Sequence, residues 1–297
     1  ANSDFQAGLD ALLLKEVNYV VPLIDRDLSA EGLSSTATWA SVSQQLLDHV
    51  VRARGAAGLE RGGFIGFRGT KAQIVAAANG LNDEDVQLMC QNPTVLDASG
   101  SLAAKGPRML AVMGASMRAG VPEIGEPLTN KYLRVSALSQ DSSWDPSDVT
   151  DSADLINAGV MFAETIPGQG TRWVRDITTY VKTDNLAYME GSVRDVVRYI
   201  AFNLRKELDN RFTGRKSAPS TVSAVRDAAA SLLESYRSDD IIVESTDPAT
   251  GEVIRAYHNL KVTSSGDVIS VNVGIFPVPG INFELIEIFL QLPTQSA

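Results

Sequence analysis

Apolar residues recur at helical spacing at Phe5, Leu9, Leu12 and Leu13, and an apolar run of strand length follows at Val17 to Leu23, so the chain opens as helix then strand. A Ser/Thr-rich stretch, Ser34 to Thr38, supplies caps for a helix near Trp39 to Arg54. A Gly-rich turn then leads to a short strand at Gly63 to Phe67, a helix from Thr70 through Ala78, and a strand at Val86 to Gln91. This helix–strand alternation implies crossovers and a largely parallel sheet. The run from Lys105 to Gly120, with Pro107 at a first helical position and Gly120 at the end, predicts a packed helix. Val121 to Ser152, with Pro122, Pro127 and Pro146, reads as one long loop.

The stretch from Asp154 to Tyr180 joins this α/β half to a helix-then-sheet half. Its segments Gly159 to Thr165 and Thr171 to Thr179, separated by Pro167, Gly168 and Gly170, predict two strands around a turn. Trp173, Arg175, Ile177 and Thr179 alternate with Arg172, Val174, Asp176 and Thr178, which puts charge on both faces and places this strand near a domain or subunit interface. Beyond it, Glu190 to Phe212 carries Val193, Val196, Val197, Ile200, Leu204 and Leu208 on one helical face, with Arg194, Arg198, Arg205 and Arg211 elsewhere. A second helix runs from Pro219 to about Tyr236. Strands are expected at Ile241 to Glu244, Glu252 to Thr263, Val268 to Phe276 and Ile281 to Leu290, the middle pair joined by Ser265-Gly266-Asp267.

Composition narrows the function classes. With 297 residues, 44% of them hydrophobic, the chain can bury a sizeable core in one large domain or two. A net charge of -10 argues against a nucleic-acid partner, because phosphate binding rests on clustered Lys and Arg. The single Cys90 excludes an intramolecular disulfide and reads as a small buried hydrophobe in a strand. No apolar run reaches the roughly 18 residues of a membrane span. The chain begins at Ala1, without Met, in the middle of a helical pattern, which reads as a truncated or processed product.

Three patterns invite chemistry. Gly63 to Lys71 places glycines between a strand and a helix, as in a phosphate loop, but the order Gly69-Thr70-Lys71 is not the Gly-Lys-Ser/Thr such a loop needs, so it reads as a plain turn. Asp25 or Asp27, His49 and Ser116 occur in the chain order of subtilisin-type proteases, and Gly114-Ala115-Ser116-Met117 is similar to their nucleophile motif. His49 nevertheless sits in a plain helical pattern, and a packed helix is the preferred reading of both segments. His258 is the only other histidine, and Asp83, Glu84 and Asp85 read as solvating a helix end, so neither a metal nor a cofactor is expected. The arginines of the long helices form a row of cations suited to acidic surfaces on a neighbour.

Taken together, Pro127 to Lys131, Leu155 to Val160, Arg172 to Tyr180 with its closing Ile-Thr-Thr-Tyr, Val193 to Ile200, Phe212 to Arg215, Asp267 to Val273 and Ile281 to Leu290 resemble the contractile tail sheath family of bacteriophages and related contractile injection systems. The resemblance covers nearly the whole chain, but the family's N-terminal arm and early strands have no counterpart before Ala1. It implies an α/β fold, α+β overall: a subtilisin-like layered domain over residues 1–180 that is not a protease, and a C-terminal domain over 181–297 built of a helix pair and a mixed or antiparallel sheet. It further implies a subunit that polymerises as stacked hexameric rings around a tail tube and contracts, with neighbouring subunits, tube protein and baseplate as partners and with neither nucleic acid nor membrane. Its setting would be the virion tail, assembled in the host cytoplasm, or another contractile injection system. The expected contacts are the edge strand with Ile281, Phe283 and Leu285, and the cations Arg194, Arg198, Arg205, Arg226 and Arg237.

Overall fold

The computed structural model describes residues 1–32, 35–183, 185–247 and 249–280. The strand expected at Ile281 to Leu290, with Ile281, Phe283 and Leu285, lies outside them. Helix α1 (Asn2–Leu12) leads to strand β1 (Tyr19–Val20), helix α2 (Trp39–Arg52), β2 (Gly62–Gly66), α3 (Lys71–Leu81) and β3 (Val86–Met89). Next come β4 (Asn92–Leu96), β5 (Leu102–Ala104), α4 (Pro107–Ala119), β6 (Tyr132–Leu133), β7 (Ala137–Ser139) and α5 (Val149–Asn157). The middle of the chain is β8 (Val160–Met161), β9 (Ala163–Ile166) and β10 (Gly170–Trp173). The last part holds α6 (Leu186–Met189), α7 (Gly191–Phe212), α8 (Pro219–Ser238), β11 (Ser245–Thr246), β12 (Val253–Ile254), β13 (Tyr257–Ser265) and β14 (Val268–Ile275).

The central sheet has the order β1-β2-β3-β8, with every pairing parallel, as the helix–strand alternation predicts. Successive residues of its strands face opposite cores, which is the period of two of a pleated strand. Ile65, Leu88 and Val160 join Val42, Leu46, Ile74 and Leu155 on one face, while Phe64, Met89 and Met161 join Leu110, Ala111 and Trp173 on the other. Thus α2, α3 and α5 cover one face and α4 the other. Local chemistry starts these helices: the Thr38 hydroxyl accepts from the Ser41 amide at the head of α2, and Thr70 and Gln73 close a capping box at the head of α3. At Gly66 an added Cβ would lie 2.3 Å from the Arg108 amide nitrogen, so only glycine lets α4 lie this close on β2. A third core, with Val196, Ile200, Ala229, Leu233 and Ile242, sits between α7, α8 and the antiparallel β13–β14 pair.

Several expectations need correction. The strand ending at Thr179 stops at Trp173, because Asp176 turns inward and its amide donates to the Thr129 hydroxyl rather than to a strand partner. Val121 to Ser152 is not one loop: β6 adds to the β9–β10 pair, β7 pairs with β4, and α5 begins at Val149. Two-residue and three-residue strands are too short to show a period. Ile241 to Glu244 forms an isolated bridge, Ile242 to Pro277, in place of a strand. The strand expected at Glu252 to Thr263 divides into β12, which pairs with β11, and β13, which pairs with β14; the β4–β5 hairpin, whose first strand Pro93 interrupts, has no counterpart in the sequence pattern. Cys90 is buried as expected, immediately past the end of β3, and burial pushes its thiol pKa up.

Candidate functional site

The densest polar cluster lies where α7 meets the parallel sheet and the segment after β10. Asp176 is fully buried; it accepts from Gln87 at 2.9 Å and from the Leu128 amide at 3.2 Å, and pairs with Arg118. Arg118, itself buried in α4, also reaches Asp195 of α7 at 2.8 Å and donates to the Glu126 carbonyl at 2.8 Å. Asp195 pairs with Arg198 one turn on and accepts from the Tyr19 hydroxyl at 2.9 Å. Arg198 in turn meets Asp85 at 2.7 Å, where Arg54, at 2.7 Å, and Arg194, at 3.2 Å, converge as well. Glu84 completes the set, with Arg54 at 3.1 Å and Arg194 at 3.2 Å.

Arg54, Arg118, Arg194 and Arg198 therefore face Glu84, Asp85, Asp176 and Asp195, a balanced network. Balance is what makes its burial tolerable, because an unpaired charge in the interior costs several kcal/mol. Burial opposes ionisation of Asp85, but Arg198, Arg194 and Arg54 outweigh it and hold the carboxyl below its ordinary value. At Arg198 burial likewise disfavours the charge, and Asp195 and Asp85 reverse that and raise its pKa. Burial, helped by Asp195, pushes the Tyr19 phenol up. The head of α7 is pressed into the cluster: a Cβ on Gly191 would fall 2.5 Å from Asp176 Oδ1. Beside it, Arg175 pairs with Glu190, the residue that opens α7, at 2.5 Å.

This geometry corrects two sequence readings. Arg194 and Arg198 are not an open row of cations offered to a neighbour; both are buried and committed to carboxylates of the same chain. Asp85 is not solvating a helix end but lies at the centre of the network. The signal for it, Arg54 together with Arg194 and Arg198 of α7 against one acidic run, involves positions from 31 to 113 residues apart and carries no local pattern. Arg205 pairs at 3.1 Å with Glu60 and stays half exposed, Arg237 pairs with Glu234 in its own helix, and Arg226 is exposed. Arg175 and Asp176 contact the head of α7, while Arg172 pairs across the hairpin with Glu164 at 2.8 Å.

The protease-like residues are not assembled. Nε2 of His49 takes a 2.9 Å contact from Arg61, and the paired burial and charge press the imidazole pKa down to about 4, burial contributing most and Arg61 next. Asp25 faces the Arg108 amide at 3.3 Å, Asp27 accepts from the Trp39 amide, and Ser116 is exposed on α4. Lys71 is engaged by Asp151 at 2.7 Å and Asp154 at 2.5 Å. Among the described residues no group of three or more His, Cys, Asp and Glu side chains is placed to hold a metal ion, and no helix is long and apolar enough to cross a membrane.

Over 177 residues the chain is 29% identical to the tail sheath protein of Bacillus phage SP01, a match spanning 59% of this chain and 28% of that relative. The resemblance is to tail sheath proteins. A protein of Enterococcus phage phiEF24C named "Putative tail sheath protein" is 24% identical over 217 residues, 73% of this chain and 36% of its own length. The chain thus matches only about a third of the length of these curated relatives. No family model matches it. Among solved structures, the crystal structure of the sheath tail protein from Desulfitobacterium hafniense superposes with a TM-score of 0.66 at 14% identity, over 95% of this chain and 58% of that one. The helical sheath of the anti-feeding prophage in its contracted state gives 0.57 at 15% identity, over 86% and 66%. The α/β fold is therefore one that sheath proteins share.

Proposed function

We propose that this chain is a structural subunit, or a part of one, of a contractile tail sheath, which polymerises around a tail tube and contracts to drive it through a target envelope. The observation that carries the reading is sequence similarity to phage tail sheath proteins, supported by a sheath-protein fold spanning nearly all of the chain. A phage tail fits the curated relatives, with genome delivery as the outcome; another contractile injection system fits the structural neighbours. Partners on this reading are further copies in stacked hexameric rings, a tube protein and a baseplate, with assembly in the bacterial cytoplasm and residence in the tail. We read the layered unit, residues 1–180, as subtilisin-like in topology and without enzymatic activity, and 181–297 as a second domain.

The ionic network gives this reading a mechanical content. Contraction asks many subunits to exchange one set of contacts for another, and such exchange transmits force only if each subunit is stiff. A buried, balanced network joining α7 to the parallel sheet is a device of that kind. For contacts we retain Arg205, Arg226 and Arg237, together with Ile281, Phe283 and Leu285. The test is negative-stain electron microscopy of the protein expressed at the full length of its gene. Rings or tubes are expected; monomers persisting at every ionic strength would refute the reading.

A further inference from the structure

At the carboxyl end of the parallel sheet, three guanidinium groups stand over two carboxylates. Arg108 grips Glu31 with contacts of 2.9 and 3.0 Å, Arg26 reaches the same Glu31 at 3.3 Å, and buried Asp25 has Arg108 at 3.9 Å and Arg68 at 4.0 Å. Arg68 is 39% exposed, and this 4.0 Å approach is its closest to an acid among the described residues. The rim is rigidly built: a Cβ on Gly106 would lie 1.9 Å from Asp25 Oδ2 and 2.6 Å from Arg68 Nη2, so the start of α4 is pressed against the pair. The rim therefore carries surplus positive charge on a chain whose net charge is -10.

Directly beside it the sign reverses. Lys71, three residues past Arg68, bonds through its amide to Ser143 and through its ammonium to Asp151 and Asp154, which fastens the acidic segment 141–154 along the same edge. Lys71 neutralises part of that segment. Asp141, Asp145 and Asp148 remain exposed and, among the described residues, make no ion pair; their side chains bond only to nearby main-chain amides and hydroxyls. Each half of the rim also shows one large exposed apolar side chain, Leu23 at 60% and Val149 at 84%.

We infer that this rim is a head-to-tail contact surface in which the acidic segment 141–154 of one copy sits on Arg26 and Arg68 of the next. Opposite charges set side by side along one edge match when a copy is displaced along that edge, and a displaced, non-reciprocal contact leaves each copy's other half free for a further neighbour. Such heterologous contacts close into rings or run on as helices. Bidentate guanidinium–carboxylate pairing gives the contact its register, and Leu23 and Val149 give it an apolar part. That the partner is a second copy rests on the sheath reading; the surface and its acidic complement do not.

The experiment uses two differently tagged preparations of the full chain, Arg26→Cys and Asp145→Cys, mixed and treated with a short bis-maleimide; the native thiol, Cys90, is buried. The expected result is a covalent pair carrying both tags. It should be lost in about 1 M salt, where the screening length is about 3 Å, and in a mixture where Ser238→Cys, at the end of α8, replaces Asp145→Cys. Adding Arg68→Gln to the first partner should reduce it. A yield no higher than that of the Ser238→Cys control, or one indifferent to salt, overturns the contact. A specific cross-link in a protein that never forms rings or tubes keeps the contact and removes the sheath reading. Tubes that assemble unchanged from the Arg68→Gln protein, with no cross-link, do the reverse.

Discussion

Replacing Asp85 by Asn removes the anion on which three arginines converge. The carboxyl is 1% exposed and holds Arg54 and Arg198 each at 2.7 Å and Arg194 at 3.2 Å. The amide keeps the shape but loses the charge and turns donors toward guanidinium groups that can only donate. Arg54 and Arg194 would retain Glu84, which is 24% exposed, and Arg198 would retain Asp195. Removing one partner of a buried pair costs about 3–5 kcal/mol, and the remaining acids place the expected loss near the middle, about 4 kcal/mol. At about 2–4 °C per kcal/mol for domains of roughly this size, the melting temperature should fall by about 8–16 °C. Urea unfolding and calorimetry of Asp85→Asn measure both quantities. Adding Arg198→Met should cost less than the sum of the single changes, because it removes one of the stranded cations. The pH dependence has a definite sign: the folded carboxyl titrates below its ordinary 3.8, so its contribution is complete above that value and is lost as pH falls through the folded value. A loss under about 1 kcal/mol, the scale of exposed ion pairs, would refute the claim that this network welds α7 to the sheet.

Other outcomes follow from single features. His49 titrates at about 4 in the folded chain against 6.5 ordinarily, so stability should decline by up to about 3 kcal/mol as pH drops from 6.5 to 4; urea midpoints across that range should be flatter in His49→Asn. Gly191→Ala should destabilise by about 1–3 kcal/mol by overpacking against Asp176, whereas Gly8→Ala, within α1 and with nothing near the added carbon, should stabilise by up to about 1 kcal/mol; chemical denaturation compares the two. A fluorophosphonate probe should leave Ser116 unlabelled, and labelling abolished by Ser116→Ala would overturn the structural assignment of α4.

Elements whose stabilising information is local are legible along the chain. Thr38 and Thr70 mark helix starts, Pro107 and Gly120 bound α4, and the strand–helix alternation up to Met89 specifies a parallel sheet, because caps, periodicity and crossover handedness act over a few residues or one connection. Which charges meet is set by the folded backbone. Arg194 and Arg198 occupy the polar positions that a solvated face would show, and nothing in their own helix distinguishes them from Arg205 or Arg211. They are buried because Asp85 arrives from the start of β3, 109 and 113 residues away. The short strands β6 and β7 likewise exist only because partner strands are already in place to receive their hydrogen bonds. Pairing of charges and strands across such separations depends on where the folded backbone brings them, and a pattern read along the chain contains no distance of that kind.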